Sequence, residues 1–178
     1  MEVEVKFRMK NGVAEKVRAI AEFVIRKEEV DLYFSSPIKD FKETDEALRL
    51  RRDIEGITIT YKGPKIDSET KSREEIKLKV DSFEKAVQLL EKLGFKPVRE
   101  VRKIREIYKF GDAIICLDDV DGLGKYIEIE IESNSIEAKS EIFKIAELLG
   151  YSKNESIRDS YLELLEKISQ TKTQNHRQ

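Results

Sequence analysis

From its second residue the chain alternates charged and apolar side chains: Glu2-Val3-Glu4-Val5-Lys6-Phe7. Successive side chains of a β-strand point to opposite faces, so Glu2, Glu4 and Lys6 share one face and Val3, Val5 and Phe7 the other. The same period of two recurs over residues 29–34, 47–53, 57–63, 71–80, 99–109, 113–120 and 125–133. With residues 3–8 this predicts about eight strands. Helical spacing marks residues 12–27 (Val13, Val17, Ile20, Ala21, Val24), 82–93 (Phe83, Ala86, Val87, Leu90) and 138–149 (Ile142, Ile145, Ala146, Leu149). Asp81 with Glu84 resembles a capping box, and Gly94 and Gly150 are placed to end the second and third helices. Residues 53–56, 111–112 and 121–124 read as hairpin turns, and Asp159-Ser160-Tyr161 as the start of a last helix. Strands in hairpins with helices outside predict an α+β fold built on an eight-stranded antiparallel β-barrel or strongly curved sheet. The second and third helices end alike, which suggests two related halves within one domain spanning residues 1–168. Residues 169–178 read as a disordered polar tail.

The polar faces of these strands segregate by charge. The first and last strands carry acids (Glu2 and Glu4; Glu128, Glu130 and Glu132), and the middle strands carry bases (Arg49 and Arg51; Lys62; Lys103 and Arg105). Two carboxylates about 7 Å apart along a strand repel unless a cation sits beside them. Paired arginines likewise call for an anion, and guanidinium forks suit phosphate oxygens. Carboxylates hold hard divalent ions through oxygen, and metal with arginine and lysine is the equipment expected for transfer at phosphorus. A barrel that turned these faces inward would grip a polyphosphate between an acidic, metal-holding wall and a basic one. For a single strand, a solvated charged face is the commoner explanation; it weakens over the whole set.

Composition narrows the alternatives. Lys and Arg total 34 against 36 Asp and Glu in 178 residues, which gives no basic excess for DNA binding. Charged residues make up 39% and Trp is absent, a profile resembling proteins of hyperthermophiles and one that makes any single charged motif less telling. Cys116 is the only cysteine, so no internal disulfide forms and a reducing, cytoplasmic setting is expected; it reads as a buried small residue. No apolar run approaches the length that spans a membrane. His176, the only histidine, lies in the polar tail, which argues against histidine catalysis or ligation. Gly63-Pro64 is not a phosphate-binding loop, and Gly122-Leu-Gly124 reads as a turn.

The residues then match a known pattern. Glu2-x-Glu4-x-Lys6 resembles the ExExK signature of the CYTH superfamily, whose members with inorganic and RNA triphosphatases form the triphosphate tunnel metalloenzymes. Ala47-Leu-Arg-Leu-Arg51 resembles its arginine strand and Thr60-Tyr-Lys-Gly63 its lysine strand. Arg73-x-Glu75, Lys103-Ile-Arg105, Leu117-Asp118-x-Val120 and Gly122-Leu-Gly124-x-Tyr-Ile-Glu128-Ile-Glu130 follow in the family's order. The resemblance covers residues 1–165 and is nearest to the class IV adenylyl cyclases. It implies an eight-stranded tunnel that binds a linear triphosphate. Glu2, Glu4, Asp118, Glu128 and Glu130 would hold one or two Mg²⁺ or Mn²⁺ ions. Lys6, Arg49, Arg51, Lys62, Lys103 and Arg105 would bind triphosphate oxygens with Arg73 and Glu75 in support, and Lys6, Arg105 and Asp118 are the catalytic candidates. The activity implied is ATP cyclisation to cAMP and pyrophosphate. Hydrolysis of tripolyphosphate, thiamine triphosphate or a nucleoside triphosphate is the alternative, and a non-catalytic polyphosphate-binding module is a third. A homodimer is an expectation from the resemblance alone.

Overall fold

The computed structural model describes residues 2–133 and 136–175. The elements run β1 (Glu2–Arg8), α1 (Val13–Ile20), β2 (Glu22–Ser35), β3 (Ala47–Asp53), β4 (Gly56–Lys62) and β5 (Glu75–Val80). They continue with α2 (Phe83–Lys92), β6 (Lys96–Phe110), β7 (Ala113–Val120), β8 (Gly124–Glu132), α3 (Ile136–Leu148) and α4 (Tyr161–Asn175). The eight strands form one antiparallel sheet in the order β1-β8-β7-β6-β2-β3-β4-β5. The sheet curls until its edges meet: Glu2 bridges Arg73, and the Lys71 amide donates to the Glu4 carbonyl at 2.9 Å. The residues ahead of β5 thus close the gap between β1 and β5, giving the curled half-barrel expected of the α+β reading.

Alternation decides what each face does. The outward residues Val3, Val5 and Phe7 join Ile115, Leu117, Ile127, Ile129 and Ile131 in a core covered by Val13 and Val17 of α1 and Ile142, Ile145 and Ala146 of α3. On the other half, Phe34, Leu48 and Leu50 pack beneath Ala86 and Leu90 of α2. Burying side chains of this size stabilises by about 1.5–3 kcal/mol each, so these two clusters hold the sheet in its curled form. A third cluster lies inside the curl, where Tyr33, Val101, Val120 and Tyr126 meet Tyr161 and Leu165 of α4. This apolar layer packs α4 against the inside of the sheet, with Lys6 and Lys103 beside the Tyr161 ring.

Four boundaries differ from the sequence reading. The first helix stops at Ile20, and residues 22–27 belong to β2, where Phe23 to Lys27 pair with residues 105–108 of β6. The β-branched and aromatic residues there favour a strand once a partner is present. The strand predicted from residue 71 begins at Glu75, because residues 71–74 close the sheet. β6 begins at Lys96, three residues before the predicted start. Residues 169–175 continue α4 instead of forming a disordered tail: the helix is already nucleated by its packed first turns, and Gln and Lys extend it at little cost. His176 lies outside the described residues.

Candidate active site

The inward faces of the strands line one continuous cavity of about 910 Å³. Its acidic side follows from the register of β1 on β8, which sets Glu4 opposite Glu130 and Lys6 opposite Glu128. Glu2, Glu4 and Glu130 each offer a carboxylate oxygen, and the three lie within 4.8 Å of one another. Such crowding is costly. Burial, and then the charge of Glu2, push the Glu130 carboxyl up to about 8; burial and Glu4 raise Glu2 as well. Carboxyls this close retain a proton unless a cation replaces it. Three hard oxygen donors pressed together in this way fit a hard divalent cation.

The basic residues face the same space but differ in how far they are already engaged. Arg51 grips Asp31 with two bonds, Nε to Oδ1 at 2.6 Å and Nη2 to Oδ2 at 2.8 Å, and reaches Glu29 at 3.0 Å. Lys103 sits between Glu29 at 2.9 Å and Asp31 at 3.2 Å. Lys62 pairs with Glu75 at 2.6 Å, which against the opposing effect of burial holds that carboxyl down to about 2. Among the described residues Arg73 has only Asp45 as a carboxylate partner, at 4.0 Å. Among the described residues no carboxylate lies within 4.0 Å of Arg49, and its buried Nε has no hydrogen-bond partner. Arg49 is therefore the cation most in need of an anion.

Glu29, Asp31, Lys27 and Lys71 were not among the residues expected to build the site. Glu29 and Asp31 stand on β2 between the basic strands β3 and β6. Although burial opposes it, the cations around them hold both carboxyls below their ordinary range: Arg105, Lys103 and Arg51 for Glu29, Lys103 and Arg51 for Asp31. The division into acidic and basic walls is thus less clean than the strand faces suggest. Lys71 reaches Glu4 at 2.5 Å and Glu128 at 3.8 Å. Lys6 donates from Nζ to the Asp159 carbonyl at 2.9 Å, lies 3.4 Å from Glu128 and sits 3.9 Å from the centre of the Tyr161 ring. Burial, and then repulsion from Lys71, bring its pKa down to about 7.

Asp118 stands apart from the three clustered carboxylates. It does not line the cavity, and both its oxygens are taken: Arg105 Nε and Nη2 donate at 2.7 and 2.6 Å, and the Tyr161 hydroxyl donates at 2.7 Å. Glu128 accepts from Arg105 at 2.6 Å and faces Lys6 and Lys71. Of the five proposed ligands the structure brings Glu2, Glu4 and Glu130 together, and it places Asp118 and Glu128 on cations. Tyr161, which orients Asp118 and packs over Lys6, carries no strand motif; only its place at the start of a helix marked it.

The curled antiparallel sheet thus sets clustered carboxylates facing arginines across one inward-charged cavity. The chain belongs to the CYTH domain family, whose sequence model matches residues 1–161. It is 45% identical over 169 residues to the protein named putative adenylate cyclase MJ0240 of Methanocaldococcus jannaschii, covering 92% of this chain and 97% of the relative. The solved PH1819 protein of Pyrococcus horikoshii OT3 superposes with a TM-score of 0.86 at 40% identity, over 94% of this chain and 99% of that one. A more distant fold neighbour from Hippeastrum superposes with a TM-score of 0.63 at 20% identity, over 84% of this chain and 88% of that one. It is described as a putative adenylyl cyclase with a dominant triphosphatase activity. Among the described residues no helix is long and apolar enough to cross a membrane.

Proposed function

We propose that this chain is a metal-dependent enzyme that binds the triphosphate of ATP in its cavity and converts ATP to cAMP and pyrophosphate. The observation that carries the reading is the placement of Glu2, Glu4 and Glu130 within 4.8 Å in a cavity shared with Arg49, a buried cation with no carboxylate within 4.0 Å among the described residues. Mg²⁺ or Mn²⁺ would be held by Glu2, Glu4 and Glu130, and would supply positive charge beside the triphosphate. Asp118 and Glu128, ligands by resemblance, act in this reading by holding Arg105 in place.

Arg49 and Arg73 take triphosphate oxygens with least loss of existing partners. Arg51 and Lys103 are fixed by Glu29 and Asp31, so their positive charge is positioned in advance and needs no reordering. In cyclisation the ribose 3′-oxygen forms a bond to the α-phosphorus, the bond from that phosphorus to the bridging oxygen breaks, and pyrophosphate leaves. The hydroxyl proton must go to a base. Lys6, with a pKa near 7, is able to accept one at neutral pH.

Triphosphatase is the second reading, supported by the activity described for the Hippeastrum neighbour and by a phosphate grip that serves either attack. Incubation with ATP and Mg²⁺ or Mn²⁺, followed by separation of nucleotides and phosphates, decides between them. Cyclic AMP with equimolar pyrophosphate supports the cyclase. Phosphate and ADP without cAMP move the assignment to triphosphatase. Metal-dependent binding without turnover of any triphosphate leaves a binding module.

A further inference from the structure

Lys71 stands where a metal and a phosphate would both meet it, and the phosphate grip described above makes no use of it. It lies in the closing segment ahead of β5, and its amide is fixed on the Glu4 carbonyl at 2.9 Å. From that anchor the side chain, one-tenth exposed, turns onto the carboxylate of the same residue. Its Nζ is 2.5 Å from Glu4 Oε1 and 3.8 Å from Glu128 Oε1. A buried ammonium therefore rests on one of the three carboxylates that cluster within 4.8 Å. Lys77, the cation beside Glu2 at 3.4 Å, is by contrast half-exposed and also bonds Glu75 at 3.1 Å.

A divalent ion and an ammonium cannot share one carboxylate oxygen at this range. Like charges so close repel strongly where water is excluded, so an ion that takes Glu4 displaces Lys71 from it. The displaced ammonium has little to turn to. Glu128, the other carboxylate within reach, already accepts from Arg105 at 2.6 Å and lies 3.4 Å from Lys6. The main-chain bond to Glu4 does not involve the side chain, so Lys71 stays on the cavity wall, which it lines together with Arg49 and Arg73. Arg51 and Arg105 are each locked to a carboxylate by two bonds. A lysine is instead a point charge on a flexible stem, suited to changing partners.

We infer that Lys71 is an exchangeable cation: it holds Glu4 until a divalent ion takes that carboxylate, and it then binds a triphosphate oxygen. This rests on the proposed metal and triphosphate site and adds a coupling to it. The metal releases a charge that the phosphate uses, so each ligand tightens the other.

Calorimetry on the full chain compares wild type with Lys71→Met, which keeps an unbranched stem and removes the charge. Two titrations are made: Mg²⁺ alone, and the methylene-bridged analogue of tripolyphosphate, which resists cleavage, at saturating Mg²⁺. Lys71→Met should bind Mg²⁺ alone about fivefold or more tighter and the analogue about fivefold or more weaker. A Mg²⁺ affinity unchanged or lower in the variant overturns the competition for Glu4. An analogue affinity within about twofold of wild type overturns the transfer to phosphate. Reductive methylation of wild type, read at Lys71 by mass spectrometry, asks the same question without a variant. The yield should rise with Mg²⁺, as the amine leaves its carboxylate, and fall again when the analogue is added; a yield indifferent to Mg²⁺ overturns the inference. In each of these cases wild type that still binds Mg²⁺ and the analogue leaves the proposed site standing, whereas wild type that binds neither removes both.

Discussion

Replacing Glu130 with Gln should make the metal-free protein more stable and its metal response weaker. Glu130 is half-buried beside Glu2 and Glu4, and its carboxyl is pushed up to about 8 from an ordinary 4.5. An acid whose folded value lies above its unfolded value loses stability as pH rises from 4.5 to about 8, because the unfolded chain ionises first. At about 1.36 kcal/mol per pH unit, the interval from 4.5 to pH 7 costs the folded state about 3 kcal/mol. Gln keeps the shape and never ionises, so the cost vanishes. In a chelator the variant should match wild type near pH 4.5 and exceed it at pH 7 by up to about 3 kcal/mol, or about 6–12 °C in Tm for a chain of this size. Mg²⁺ at about 100 times its Kd should then raise wild type by about 3 kcal/mol and release protons, while Glu130→Gln gains far less. Thermal melts from pH 4.5 to 9, with chelator and with Mg²⁺, read all of this. Parallel pH profiles for the two proteins would refute the crowding of the three carboxylates.

The other side chains give sharper single readouts. Arg49→Ala should lower triphosphate affinity about tenfold or more, with stability within about 1 kcal/mol of wild type or above it, because no ion pair is lost. Titration calorimetry and urea unfolding measure the two separately. Asp118→Asn removes one of the charges that hold Arg105 and should cost about 3 kcal/mol in urea unfolding at pH 7; a loss below about 1 kcal/mol would mean that Glu128 suffices. Gly122, at φ 80 in the β7–β8 turn, would bring a new Cβ 3.3 Å from Leu165 of α4. Gly122→Ala should therefore lower stability by about 1–2 kcal/mol, seen as a lower urea midpoint with an unchanged slope.

Much of this was legible in the chain because a strand's period of two is a local property. Glu2, Glu4, Arg49, Arg51, Lys103, Arg105, Glu128 and Glu130 could be placed on the charged faces of their strands from alternation, and the curl of the sheet turns all of them to the cavity wall. What alternation does not encode is which strands become neighbours. Glu29 and Asp31 share the alternation of β2, yet their work depends on β2 lying between β3 and β6. Asp118 sits among the family's charged motifs, and only the packing of Tyr161 and Arg105 around it shows that its oxygens are engaged. Lys71 precedes a strand and acts through the closure of the sheet edges. The helical reading of residues 22–27 failed for the same reason, since their pairing with β6 outweighed a helical spacing of Ala21 and Val24.

The central claim is that acidic and basic walls act together on a metal and a triphosphate. Calorimetric titration of the methylene-bridged tripolyphosphate analogue at pH 8, into wild type and Glu4→Gln, with Mg²⁺ and with chelator, tests it most directly. The account predicts that Mg²⁺ tightens wild-type binding about tenfold or more and that Glu4→Gln, folded and still binding the analogue weakly, shows little of this gain. Equal affinity with and without Mg²⁺ in wild type, or an undiminished Mg²⁺ effect in Glu4→Gln, would contradict it.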